Sequence, residues 1–168
     1  MADTEGAADG VSLREVTRDT VRAICDLAVA PDQVDLVAPN AVSIAEAHFE
    51  PRAWFRAVYA GEESVGFVML YEDPVGDGAV AEATPSRPVY YLWRFMIDER
   101  HQRRGYGRRA LELVVDHVRR QPGARDLLVS VVPREGSAER LYESAGFRRT
   151  GRVHHGEVEM RLDLASEH

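Results

Sequence analysis

From Gln102 to Arg109 the chain reads Gln-Arg-Arg-Gly-Tyr-Gly-Arg-Arg, a cluster of cations in a protein whose formal net charge is -7. Leu111, Val114, Val115 and Val118 follow at i, i+3, i+4 and i+7, the spacing of a helix that buries one face. Arg103, Arg104, Arg108 and Arg109 therefore crowd the first turn of that helix, the end that already carries a partial positive charge. Asp or Glu would each be favourable there by about 0.3 to 1 kcal/mol, so cations in this place point to a bound anion. Gly105 and Gly107 have no Cβ and can let a phosphate approach unpaired backbone N–H groups directly. The chemistry expected is the grip of a diphosphate, and the plainer alternative is a glycine turn with solvated arginines.

Gly105-Tyr106-Gly107-Arg108-Arg109-Ala110 also satisfies the glycine pattern of a dinucleotide-binding turn. That turn normally opens the first strand–helix unit and is followed about 20 residues later by an acidic residue closing the next strand. Here it comes late in the chain and Asp126 precedes its strand, which weighs against a nicotinamide or flavin protein.

The elements that must position this turn can be read from periodicity. Val11 to Val16 predicts a strand, and Thr17 to Thr20 offers N-caps for a helix carrying Val21, Ile24, Cys25 and Ala28 as far as Pro31. Ser43 begins a second helix that stops at Pro51. Trp54 to Tyr59 and Ser64 to Tyr71 predict a hairpin, and the proline- and glycine-rich stretch from Pro74 to Pro88 an irregular connection bordering a substrate site. Val89 to Asp98 reads as a buried strand, Gly107 to Arg120 as a helix and Leu127 to Val132 as a strand. Ala138 to Ala145 reads as a short helix capped by Ser137 and Gly146, and Gly151 to Leu164 as a closing hairpin. The fold expected is α/β (α+β), a single domain over residues 11–164 with a mixed central sheet flanked by helices and short tails at 1–10 and 165–168.

A chain of 168 residues has room for one such domain. No apolar run approaches a membrane span, and the acidic start lacks a secretory signal, so a cytoplasmic protein is expected. The negative charge argues against a nucleic-acid partner and suits a cationic small molecule. Cys25, the sole cysteine, reads as a small core side chain. His154 and His155 precede Gly156 with no matching ligand set, which fits a hairpin turn rather than a metal site.

The composite Gln102-x-x-Gly105-x-Gly107, after a strand and before an amphipathic helix, resembles the acetyl-CoA motif of the GCN5-related N-acetyltransferases, the GNAT family. The resemblance implies a mostly antiparallel central sheet and acetyl-CoA as cosubstrate. It further implies a pyrophosphate site at Gln102 and on the backbone of Arg103, Arg104, Gly105, Tyr106, Gly107 and Arg108. It places Phe95-Met96-Ile97 where two strands splay, the pantetheine arm pairs like a strand and a backbone N–H polarises the thioester carbonyl. Ala138 to Phe147 resembles the second family motif, whose tyrosine, here Tyr142, lies near the cofactor sulfur. A phenol of reference pKa about 10 keeps its proton at neutral pH and can give it to a departing thiolate. Glu135 stands where many relatives carry a cofactor-contacting asparagine. Asp32-Gln33-Val34, Ser43 to Ala47 and Trp93 to Asp98 are similar to the bacterial spermine and spermidine acetyltransferase branch.

Direct transfer needs a neutral amine. A lysine-like amine of pKa about 10.4 loses its proton at pH 7 at a cost of roughly 4.6 kcal/mol. Glu72 and Asp73 end a strand beside the 74–88 connection, while Asp32, Asp35 and Glu46 lie in the segment expected to wall the acceptor site. Glu72 is the first choice for the base, and Glu72 and Asp32 for binding the acceptor. Polyamines, aminoglycosides, amino acids and protein amino termini all remain open as acceptors, as does a non-catalytic acyl-CoA-binding domain. Exposed sheet edges leave room for a homodimer.

Overall fold

A computed structural model of the protein describes residues 10–77 and 87–165. Most of both expected tails, and residues 78–86 of the expected irregular connection, lie outside the described residues. The strands are β1 (Val11–Arg14), β2 (Ala53–Ala60), β3 (Glu63–Asp73), β4 (Val89–Ile97), β5 (Asp126–Val131), β6 (Arg148–His154) and β7 (Glu157–Asp163). The described helices are α1 (Val21–Asp26), α2 (Asn40–Phe49), α3 (Tyr106–Arg119) and α4 (Glu139–Ser144), with single 3-10 turns at Pro31–Gln33 and Glu99–His101. All strands join one sheet in the order β1-β2-β3-β4-β5-β7-β6. Every neighbouring pair is antiparallel except β4 with β5.

The sheet has a core on each face because β3 and β4 are apolar at nearly every position. On one face Leu111, Val114, Val115 and Val118 of α3 bury against Val68, Leu70, Leu92 and Val129, with Tyr142 and Phe147 extending the cluster. On the other, Phe67, Met69 and Met96 meet Ile24 and Leu27 around α1, with Ile44 and Ala47 of α2 packed alongside.

Two helix ends differ from the periodic reading. The first helix was expected to reach Ala28, but Leu27 is already extended. The Ala28 N–H donates to the Asp98 carboxylate at 2.9 Å instead of to a helix carbonyl. The second helix starts at Asn40, whose amide nitrogen donates to the Ile24 carbonyl at 2.9 Å, so Ser43 is a fully buried interior residue rather than the first of the helix. Gly146 does take the left-handed cap, at φ 102°.

The feature that shapes the molecule lies between β4 and β5. They are in register only at Tyr91 with Leu128 and Leu92 with Val129, and then diverge. Opposite β3, Met69 pairs with Arg94 and Leu70 with Leu92, leaving Trp93 as an extra residue in β4. Such a bulge bends its strand and raises the local twist, which carries the end of β4 away from β5. No described helix is long and apolar enough to cross a membrane.

Candidate active site

The diverging strands open a cleft of about 690 Å³, walled by the end of β4, the end of β5, the start of α3, the start of α4 and the segment 33–39. The arginine–glycine turn enters it from the α3 side. Arg103 and Gly105 both adopt left-handed backbone, at φ 62° and 83°. Positive φ within a turn makes a concavity of converging N–H groups that suits an anion. The first bond into α3 runs from the Arg109 N–H to the Gly105 carbonyl at 3.1 Å, so the N–H groups of Tyr106, Gly107 and Arg108 have no helix partner. No acidic side chain occupies that first turn.

The residues of the turn divide the work. Arg103 and Arg108 line the cleft, whereas Arg104 is exposed and does not. The Tyr106 ring is buried beside Val65, Ile97 and Ala110, which leaves only its backbone available to an anion. Gly105 uses the conformational freedom of glycine; Gly107 has no positive φ, and an added Cβ there would meet Ile97 Cγ1 at 3.5 Å and Leu141 Cδ2 at 3.6 Å in ordinary contact. Gln102 is a brace: its amide nitrogen donates to the Ile97 carbonyl and to Gln33 Oε1, both at 2.9 Å.

Phe95, Met96 and Ile97 all line the cleft. They pair with Val68, Phe67 and Gly66 on one side. On the other side, β5 has diverged, so the peptide groups directed away from β3 face the opening rather than a strand. Tyr142 projects from α4 into the same cleft, and its ring packs 5.5 Å from that of Phe147. Among the described residues no protein group hydrogen-bonds its hydroxyl. Burial raises the pKa of this phenol well above its ordinary value, and the neighbouring Tyr91 phenol adds to the effect. Glu135 is exposed and off the cleft wall; the following Gly136 and Ser137 line it instead.

The sequence model of the family described as "Acetyltransferase (GNAT) family" matches residues 23–147. The chain belongs to that family. This GNAT protein, an acyltransferase, is 27% identical over 152 residues to a spermine/spermidine N(1)-acetyltransferase of Bacillus subtilis (strain 168), covering 85% of the chain and 91% of the relative. Its fold is similar to an aminoglycoside acetyltransferase solved with coenzyme A, at TM-score 0.74 and 18% identity over 91% of this chain and 94% of that one. It is also similar to a spermidine N-acetyltransferase from Vibrio cholerae solved with CoA and spermine, at TM-score 0.69 and 16% identity over 94% and 97% of the two chains.

The carboxylates expected to serve this GNAT site are largely engaged elsewhere. Glu72 points to the α3 face near the far end of that helix, where its Oε1 lies 2.5 Å from His117 Nε2, and it does not line the cleft. It does stand near the end of its strand, as expected from the sequence. Asp32 is exposed outside the wall, with its backbone carbonyl accepting from Arg134 at 3.1 Å. Asp35 does line the cleft, but Arg134 holds it through contacts of 2.7 and 2.5 Å and keeps its carboxyl below the usual range. Glu46 accepts from Arg94 at 3.3 Å, and Asp73 is buried with its Oδ1 accepting from the Gly76 N–H at 2.8 Å.

Sequence reasoning missed Tyr91, Arg94, Ser130 and Glu157, which all line the cleft. Ser130 ends the apolar run of Leu127 to Val129 in β5, and Glu157 is half-buried at the start of β7. The signal available was the polar residue at every second position of the closing strand, Glu157, Glu159 and Arg161. Alternation shows that they share a face without showing what the face borders.

Proposed function

We propose that this GNAT enzyme transfers an acetyl group from acetyl-CoA to a primary amine of a small polycation such as spermine or spermidine. The observation that carries the reading is the single cleft that unites the free N–H groups at the start of α3, the unpaired edge of β4 and Tyr142.

These residues fit the donor. The N–H groups of Tyr106, Gly107 and Arg108, with the guanidinium groups of Arg103 and Arg108, suit a diphosphate. The open edge of β4 suits an extended, amide-bearing arm that hydrogen-bonds as an added strand does. Acetyl-CoA supplies an activated thioester, which the neutral amine attacks to form an amide and release a thiol. Peptide N–H groups along Phe95 to Ile97 stabilise negative charge on the carbonyl oxygen, and Tyr142 offers its Oη proton to the departing sulfur. Burial keeps that proton in place across the neutral range.

The polycationic acceptor is supported by the net charge of -7 and by the relative named for spermine and spermidine. The test is thiol release from acetyl-CoA by the purified protein with spermine, spermidine, putrescine, lysine, kanamycin, a short peptide and no amine. Release that depends on the polyamines is expected. Faster release with kanamycin, lysine or the peptide reassigns the acceptor, and binding of acetyl-CoA without release for any amine overturns transfer to an amine.

A further inference from the structure

The charged groups of the cleft wall are nearly all accounted for. Arg103 and Arg108 belong to the anion end, Asp35 is held by Arg134, Arg94 by Glu46, and His101 Nε2 lies 3.3 Å from Glu63. Glu157 stands apart. It is half-buried on the same wall, and among the described residues no cation lies within ion-pair distance of it. A carboxylate on the cleft wall without a cation is available to pair with a cationic ligand.

The position of Glu157 says which ligand. β5 and β7 pair with Val131 opposite Val158 and Ser130 opposite Glu159. Val129, Val131, Val158 and Met160 face the core beneath α3. Ser130, Glu157 and Glu159 therefore alternate to the other face of the sheet. Tyr91, opposite Leu128, shares that face. The cationic turn thus reaches the gap between β4 and β5 from the α3 side, and the lone carboxylate borders it from the opposite side, leaving each face to one substrate.

We infer that Glu157 is the acceptor-site carboxylate, which binds a cationic nitrogen of the incoming amine and gives the enzyme its preference for polycations. The inference rests on the amine-acetylating reading above. Glu159, two residues along, accepts from Thr150 Oγ1 at 2.9 Å and does not line the cleft, so it is an internal control.

The experiment compares wild type, Glu157→Gln, Glu157→Asp and Glu159→Gln in steady-state acetylation of spermine, with KM for acetyl-CoA measured alongside. Losing one charge-assisted bond predicts a rise in the KM for spermine of about tenfold to a hundredfold in Glu157→Gln. The KM for acetyl-CoA should stay within about twofold, Glu157→Asp should recover part of the loss, and Glu159→Gln should resemble wild type. A wild-type KM for spermine in Glu157→Gln overturns the assignment while leaving the transferase intact. An equal rise in both KM values also overturns it, by showing a general disturbance of the cleft. If the wild-type protein acetylates no amine, the proposed function itself fails and Glu157 falls with it.

Discussion

Tyr142 is a buried residue that lines the cleft, and its hydroxyl has no hydrogen-bond partner among the described residues, which leaves it free to donate to a substrate. Tyr142→Phe is expected to lower kcat by about a hundredfold or more while changing acetyl-CoA affinity less than about twofold, as measured by steady-state kinetics and calorimetry. Glu72→Gln should leave kcat unchanged, because Glu72 is engaged with His117 outside the cleft; a large loss of turnover would show that it reaches the chemistry. Gly105→Val should weaken acetyl-CoA binding, since φ of 83° is strained for any side chain by roughly 1 to 2 kcal/mol or more. Arg103→Glu should weaken it more than Arg104→Glu, because only Arg103 lines the cleft. At this scale, sequence could show the cations and glycines because helix dipole and backbone sterics act within one turn of chain. It could not sort Asp32, Glu46 and Glu72, because their partners Arg134, Arg94 and His117 lie far away in sequence.

Among the elements, the joint between β4 and the α1 region depends on Asp98. Its carboxylate accepts from the N–H groups of Ala28 at 2.9 Å and Arg100 at 3.0 Å, and from Arg100 Nε at 2.8 Å. Burial resists its ionisation, but these hydrogen bonds outweigh burial and bring the carboxyl below its ordinary value. A lowered carboxyl pKa contributes stability that is present above the unfolded value, about 3.9, and is lost as pH falls through the folded value. Asp98→Ala should cost about 1 to 3 kcal/mol near neutral pH, and denaturant melts should show the gap from wild type closing below about pH 4. Gly66 faces Ile97 across β3 and β4, and an added Cβ would come within 2.4 Å of the Met96 carbonyl oxygen. Gly66→Val should therefore displace the β4 edge and lower both melting temperature and acetyl-CoA affinity. α3 was legible because its apolar residues keep a helical period, and β3 and β4 because they are continuous apolar runs, whereas the start of β6 at Arg148, in a strand exposed throughout, gave no such signal. The ends of α1 and α2 were not legible, because Asp98 and Asn40 act on them through tertiary hydrogen bonds, and the bulge at Trp93 leaves no period of its own.

On the scale of the whole molecule, the phenols of Tyr71, Tyr90, Tyr91 and Tyr142 are all raised by burial. An unfolded tyrosine ionises near pH 10 while these keep their protons, so their contribution is complete below about pH 10 and is lost as pH rises beyond it. Urea midpoints should fall more steeply between about pH 9.5 and 11 than in a Tyr71→Phe, Tyr91→Phe double variant. The two-pair seam between β4 and β5 has a different consequence. The sheet is a pair of half-sheets, β1 to β4 and β5 to β7, with little backbone bonding between them. A donor lodged in the seam acts as a splint across the weakest line of the fold, adding about 2.7 kcal/mol of apparent stability at a hundred times its Kd. Amide hydrogens on both sides of the seam should then exchange more slowly together when acetyl-CoA is added, and the folded fraction of the protein should track the supply of acyl donor around it.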